Sequence, residues 1–154
     1  MVTIRRAKVA DAVSLAPRLR VADKNECKAF LGLNPEEVLP QLVSQNNYVW
    51  AAVDQGGEVI GLFGIDPVKG SDHLGICWAV SSDALNSNRR ALLKLAPKWI
   101  ERLHKVRPLI GNHIDARNTV HIRWLKRLGF VFLRTHPEFG HERRPFHEFA
   151  RLRS

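Results

Sequence analysis

Disulfide chemistry has almost nothing to work with here: of 154 residues, only Cys27 and Cys77 are cysteines. Both lie in apolar-periodic surroundings, and two such thiols predict a reducing compartment, the cytosol, rather than a disulfide framework. Long apolar runs are missing as well. No stretch approaches the roughly 18 consecutive apolar residues that a membrane span needs. The opening Met1 to Arg6 runs directly into strand-like sequence, which predicts no signal peptide. Repeats, low-complexity tracts and linkers are absent too, so residues 1–154 are expected to form a single domain large enough to bury a core. Tyrosine is reduced to Tyr48. What is present is ordinary for a globular protein: 45% hydrophobic and 25% charged residues, which argues against disorder.

The net charge is +9, and it is unevenly placed: residues 1–88 carry 8 Lys/Arg against 10 Asp/Glu, residues 89–154 carry 16 against 5. Six of the seven histidines also lie in the second part. Such asymmetry points to an anionic partner, whether a phosphorylated cofactor, nucleic acid or an acidic protein face. A solvated basic surface that serves solubility is the competing reading.

Local patterns predict the elements. Val2 to Arg5 reads as a strand, and Asp11 as the cap of a helix running towards Arg20, disturbed by Pro17. A second helix spans about Asp23 to Leu31 and ends at Gly32. Asn34 with Pro35, Glu36 and Glu37 is a strong helix start, with Pro40 limiting regularity further on. Tyr48 to Val53, Glu58 to Ile65 and His73 to Val80 form an antiparallel meander. Asn86 to Asn88 opens a helix with apolar positions at Leu92, Leu95, Trp99, Leu103 and Val106, and Pro97 inside it predicts a kink. Leu109 to Ile114 is a strand, Thr119 to Leu128 a helix closed by Gly129, and Phe130 to Leu133 and Phe146 to Leu152 are the last strands. The order implies an α/β (α+β) fold: a mixed sheet of six to seven strands with about five helices packed on it, including a βαβ crossover from the His73–Val80 strand to the Leu109–Ile114 strand.

The segment Asp115-Ala-Arg-Asn118-Thr-Val-His-Ile-Arg-Trp-Leu-Lys-Arg-Leu-Gly129-Phe130 resembles the closing motif of the GCN5-related N-acetyltransferases, in which an Asn opens a helix that ends in Gly-Phe. Ile4 to Ala7 followed by Asp11 resembles their first strand and helix, and the element order covers nearly the whole chain. Closer still is the similarity to small acetyltransferase-like proteins of tailed phages, some of them internal virion proteins. It is carried by Arg20-Val-Ala-Asp23-Lys-Asn-Glu26, Trp78, Asn118 with Arg123-Trp-Leu125, and Pro145-Phe146. The resemblance implies acetyl-CoA as cofactor, held where two parallel strands splay, near Val80 and Ile114. Trp78, Ala79 and Val80 would offer strand backbone to the pantetheine arm, and Asn118 would also bind the cofactor. The pyrophosphate would sit on the following helix N-terminus.

Two departures from the family follow. The turn from Ser81 to Ala91 holds no glycine, where active members carry a Gly-rich phosphate loop. Arg89 and Arg90 stand in the first turn of the next helix, where cations oppose the dipole by roughly 0.3–1 kcal/mol each; a bound anion would relieve them, and exposure with screening would also suffice. The tyrosine that usually protonates the departing thiolate falls seven residues after the Asn, and here that position is Leu125, which has no proton to give. His121, one turn earlier, could substitute or be a partly buried structural histidine. Glu26 could deprotonate an amine, or pair with a neighbouring Lys on the helix surface.

Other constellations rank lower. His136, Glu138, His141, Glu142 and His147 lack the spacing of a helical zinc motif and carry no Cys ligand, so no metal is expected. The Thr119–Leu128 helix carries Arg123, Lys126 and Arg127, but Ile122, Leu125 and Leu128 read as core and no helix-turn-helix partner precedes it. Three functions stand: an N-acyltransferase, a non-catalytic phage virion or host-interaction protein with a protein partner, and an accessory protein contacting nucleic acid nonspecifically through phosphates.

Overall fold

In the computed structural model, which describes residues 1–154, seven strands form one mixed sheet. They are β1 (Thr3–Arg6), β2 (Val49–Val53), β3 (Val59–Pro67), β4 (Leu74–Ser81), β5 (Leu109–Asp115), β6 (Val131–Phe139) and β7 (Arg144–Leu152), arranged β1-β2-β3-β4-β5-β7-β6. Only β4 and β5 run parallel; every other neighbour is antiparallel. Five α-helices connect them: α1 (Val9–Leu15), α2 (Val21–Leu31), α3 (Pro35–Gln45), α4 (Arg89–Val106) and α5 (Thr119–Arg127). Strand and helix number match the sequence expectation.

Strand pleating sorts side chains to two faces. Val49, Ala51, Val53 and Leu62 bury against Ala12, Leu15 and Leu39, so α1 and α3 cover one face. On the other face Ile65, Cys77, Ile110 and Ile114 meet Ile100 and Leu103 of α4 and Ile122 and Leu125 of α5. Trp50, Phe63 and Trp99 form an aromatic cluster there, with centroids 5.4–5.8 Å apart. The apolar stripe read in α4 is therefore the seam by which that helix docks. Both cysteines are free, Cys77 buried and Cys27 half-buried. No helix is long and apolar enough to cross a membrane.

Several local expectations are corrected. Asp11 is not the cap of α1 but its third residue: Lys8 holds the cap position, and its backbone N–H donates to the Asp11 carboxylate at 2.7 Å. That carboxylate also takes two hydrogen bonds from Arg5, an ion pair that tethers β1 to α1. The helix does not reach Arg20: it ends at Leu15, and the expected disturbance at Pro17 takes the form of a 3-10 turn, Ala16–Arg18. As expected, α4 continues through Pro97, its buried stripe outweighing the lost hydrogen bond. A second 3-10 turn, Asp83–Leu85, lies in the segment between β4 and α4. β6 and β7 are longer than their apolar cores suggest. β6 is the edge strand and β7 its inner neighbour, and in such an antiparallel pair the side chains of one face can stay in water.

One packing detail sets up the site. The turn between β6 and β7 grips the end of α2: His141 N–H donates to Phe30 C=O and Glu142 N–H to Ala29 C=O, both at 3.0 Å. Gly140 adopts φ 75, and a Cβ there would stand 2.6 Å from Ala29 O, so only glycine permits this approach. Phe30 stacks edge-on to Phe139 and Phe146. α2 is thereby fixed across the gap between β4 and β5.

Candidate functional site

β4 and β5 pair at only three positions, Leu74–Leu109, Gly75–Ile110 and Ile76–Gly111, and then part although both continue. Parting exposes backbone groups that cannot stay unpaired in a buried setting. At the apex the Asn112 side chain serves both edges: its amide donates to Cys77 C=O at 2.9 Å, and its carbonyl accepts from His113 N–H at 2.7 Å. At the far end α2 does the same. Asp23 accepts from Ser81 N–H at 3.0 Å and Glu26 from Asp115 N–H at 3.0 Å. Ser81 C=O accepts from Arg20 N–H, and Asp115 C=O from Asn118 N–H, each at 2.9 Å.

Because backbone direction alternates along a strand, Cys77, Ala79 and Ser81 turn their N–H and C=O towards the gap, while Trp78 and Val80 turn theirs to β3. With Cys77 C=O and both Ser81 groups taken, Ala79 carries the free edge of β4. The gap opens on a cavity of about 460 Å³ with a mostly apolar lining, including Glu26, Trp78, Ser81, His121 and Leu125. Two buried donors on that lining have no partner, Trp78 Nε1 and Ser81 Oγ. An extended ligand with amide groups fits this provision: one strand residue to pair with, two side-chain donors and apolar walls.

Beside the gap lies a buried polar network. Asn118 Nδ2 donates to Asp23 Oδ1 at 3.1 Å and to Glu26 Oε1 at 3.3 Å, and Arg20 Nη1 contacts both Asp23 and Asn118 at 3.4 Å. His121 Nδ1 is 3.5 Å from Asp23 Oδ1. Burial, with the nearby charges of Asp23 and Asp115, pushes the Glu26 carboxyl up to about 7, against the bond from Asp115 N–H. Burial holds His121 below its ordinary value, opposed by Asp23. A buried carboxyl poised near neutrality is a proton-accepting group, and Asn118 and Asp23 link it to His121.

Among the solved structures that resemble the chain, a GCN5-related N-acetyltransferase from Kribbella flavida shares 22% identity over 98% of this chain and 97% of that one, with a TM-score of 0.70. An acetyltransferase-family protein from Streptococcus pneumoniae matches over the full length of both chains at 18% identity and a TM-score of 0.65. A Salmonella typhimurium protein of the same class, determined with its cofactor acetyl-CoA, matches at 16% identity and a TM-score of 0.69, over 99% of this chain and 94% of that one. The fold is that of the GCN5-related N-acetyltransferases. No family model and no curated protein matches the chain.

Within this acetyltransferase fold, the residues singled out from the sequence divide into groups. Glu26, Asn118 and His121 come together in one network. Glu26 bonds the Asp115 backbone rather than a surface lysine, so the helix-surface pairing is set aside. Trp78, Ala79 and Val80 all line the gap, with only Ala79 presenting backbone to it. Arg89 and Arg90 stand apart, exposed in the first turn of α4, whose cap residue Asn88 makes no side-chain cap bond. Sequence reading did not single out Asp23, Arg20 or Asn112 as site residues. For the first two a signal existed: Arg20, Asp23 and Glu26 are spaced by three, which places them on one helix face. Asn112 sits among strand residues and gave none.

Proposed function

We propose that the protein is an acetyl-CoA-dependent N-acyltransferase in which Glu26 is the general base. The observation that carries this reading is the parted β4–β5 pair, whose one free strand residue, Ala79, opens on the same cavity as a carboxyl poised near pH 7. Ala79 backbone and Ser81 Oγ would hold the pantetheine amides. The uncapped first-turn amides of α4, with Arg89 and Arg90, would take the phosphates. Acetyl-CoA, when bound, supplies an acetyl group activated as a thioester.

Glu26 accepts the proton that the acceptor amine must lose, while Asn118 and the Asp115 N–H fix the orientation of its Oε1. Leu125 gives no proton to the sulfur, and His121, kept neutral, is a weak acid. A thiol of ordinary pKa, about 8.5, can part as thiolate without a fixed donor. Calorimetric titration with acetyl-CoA, followed by a thiol-release assay over a panel of amines, tests the reading. One bound equivalent and amine-dependent thiol release are expected; no binding at millimolar acetyl-CoA overturns it.

A second reading rests on the glycine-free segment from Ser81 to Ala91 and on Leu125. In that reading the chain is a phage-encoded relative that has kept the fold without catalysis, as a virion or host-interaction component. Stoichiometric binding without turnover of any amine would favour it.

A further inference from the structure

On the sheet face that α2 covers, three side chains far apart in sequence converge. His113 of β5 and Glu148 of β7 are register partners, and His136 lies on β6, the strand beyond. His136 Nε2 is 2.8 Å and His113 Nε2 3.9 Å from Glu148 Oε1. The ligating atoms of all three lie within 4.8 Å of one another. Phe139 stacks on the His113 ring at 4.3 Å and 19°, which fixes its orientation.

We propose that His113, His136 and Glu148 form a binding site for a divalent transition-metal ion of the zinc class. Two imidazoles and one carboxylate are a ligand set that such ions take, with an open position left for water. Metal–ligand bonds of roughly 2.0–2.2 Å set neighbouring ligand atoms about 3.3–3.5 Å apart in a tetrahedral site. The two distances to the Glu148 oxygen, 2.8 and 3.9 Å, bracket that spacing, and the two imidazoles, whose ligating atoms lie within 4.8 Å of each other, would close in on the ion. Adjacent strands of one sheet carry the ligands, and such a frame holds them more firmly than loops would. The side chains are 25–29% exposed, open enough for an ion to enter.

Arg134 opposes the ion. Its Nε lies 3.1 Å from the same Glu148 Oε1, on a side chain that is 71% exposed. A metal must displace this guanidinium from the oxygen or share the oxygen with it, so removing the arginine strengthens metal binding. A cluster that is only a hydrogen-bonded ion pair has no such dependence. The site stands independently of acyl transfer, although His113 also belongs to the cavity wall.

The test is calorimetric titration of the untagged, chelator-treated full chain with zinc sulfate, paired with cobalt(II) absorption spectra that report the ligand field. One equivalent is expected to bind with micromolar or tighter affinity. His136→Gln and Glu148→Gln should each weaken it at least about tenfold, with the metal-free unfolding midpoint checking that each variant folds. Arg134→Ala keeps all three ligands and should tighten binding several-fold. No saturable binding, binding that survives His136→Gln, or binding lost in Cys27→Ser overturns the site. So does an Arg134→Ala variant that binds no more tightly than the original chain.

Discussion

The two ends of the proposed acyl-transfer site are built in opposite ways. At the α2 end, Arg20, Asp23, Glu26, Asn118 and His121 are buried or nearly so and cross-linked by side-chain hydrogen bonds. At the α4 end, Arg89 and Arg90 are exposed and make no ion pair, over a helix start with no side-chain cap. The first end is set before any ligand arrives, because leaving its groups unpaired would cost the folded state directly. The second gains its order only from an anion. Mutations at the α2 end should therefore act on stability and chemistry, and mutations at the α4 end on binding alone.

Asp23→Ala should give the largest effect. Asp23 holds Ser81 N–H, Asn118 Nδ2 and Arg20 Nη1 at once, and its loss leaves the buried Arg20 without its counter-charge and Ser81 N–H without an acceptor. Removing one partner of a buried charge network costs about 3–5 kcal/mol, which for a chain of this size lowers the unfolding midpoint by roughly 6–20 °C. Circular-dichroism melts of Asp23→Ala and Asp23→Asn measure it, the asparagine retaining an acceptor and most of the stability. An alanine variant that melts within about 2 °C of the parent would mean that the α2 end is as loosely held as the α4 end.

Glu26→Gln separates chemistry from structure at the same end. The amide keeps an oxygen for Asp115 N–H and Asn118 but cannot take a proton, so acyl transfer should fall by about 10²–10⁴ while the chain stays folded. A pH effect accompanies it. The Glu26 carboxyl titrates near 4.5 when exposed and near 7 when folded, so between those values the folded chain holds the extra proton. Its contribution to stability is complete below about 4.5 and is lost as the pH rises through 7. Denaturant titrations at pH 5 and pH 8 should show a steeper loss for the parent chain than for Glu26→Gln. Equal slopes would mean that Glu26 is ionised throughout and is no poised base.

How much of this was legible depends on how local each signal is. Helices α2 to α5 announce themselves through Gly32, Asn34-Pro35 and the Leu92–Val106 stripe, because caps and periodicity act within a few residues. The parting of β4 and β5 follows from no such pattern; its place came from a family resemblance, and the residue at the apex, Asn112, is one of three polar side chains in its strand, beside His113 and Asp115. Glu26 was legible as a position and illegible as an environment. The carboxyl's poise comes first from burial, in a setting closed by Asp115 and Asn118, about ninety residues away. The same holds for His113, His136 and Glu148, which only the β5-β7-β6 order brings together. The chain runs through these strands in sequence, while the sheet inserts the last one between its predecessors.

The smallest effect belongs to the α4 end, and its size carries the contrast. Arg89→Ala combined with Arg90→Ala removes two exposed cations from a helix N-terminus, where each opposes the dipole by roughly 0.3–1 kcal/mol. The melting point should therefore stay level or rise slightly. Acetyl-CoA affinity should fall about three- to tenfold at low salt, and the deficit should shrink as salt is raised, because the Debye length contracts from about 10 Å at 0.1 M to 3 Å at 1 M. Titrations of parent and double variant at both ionic strengths decide the matter. A deficit that persists at 1 M salt would mean that the arginines close over the ligand in a desolvated contact, and this end of the site would then be as built as the other.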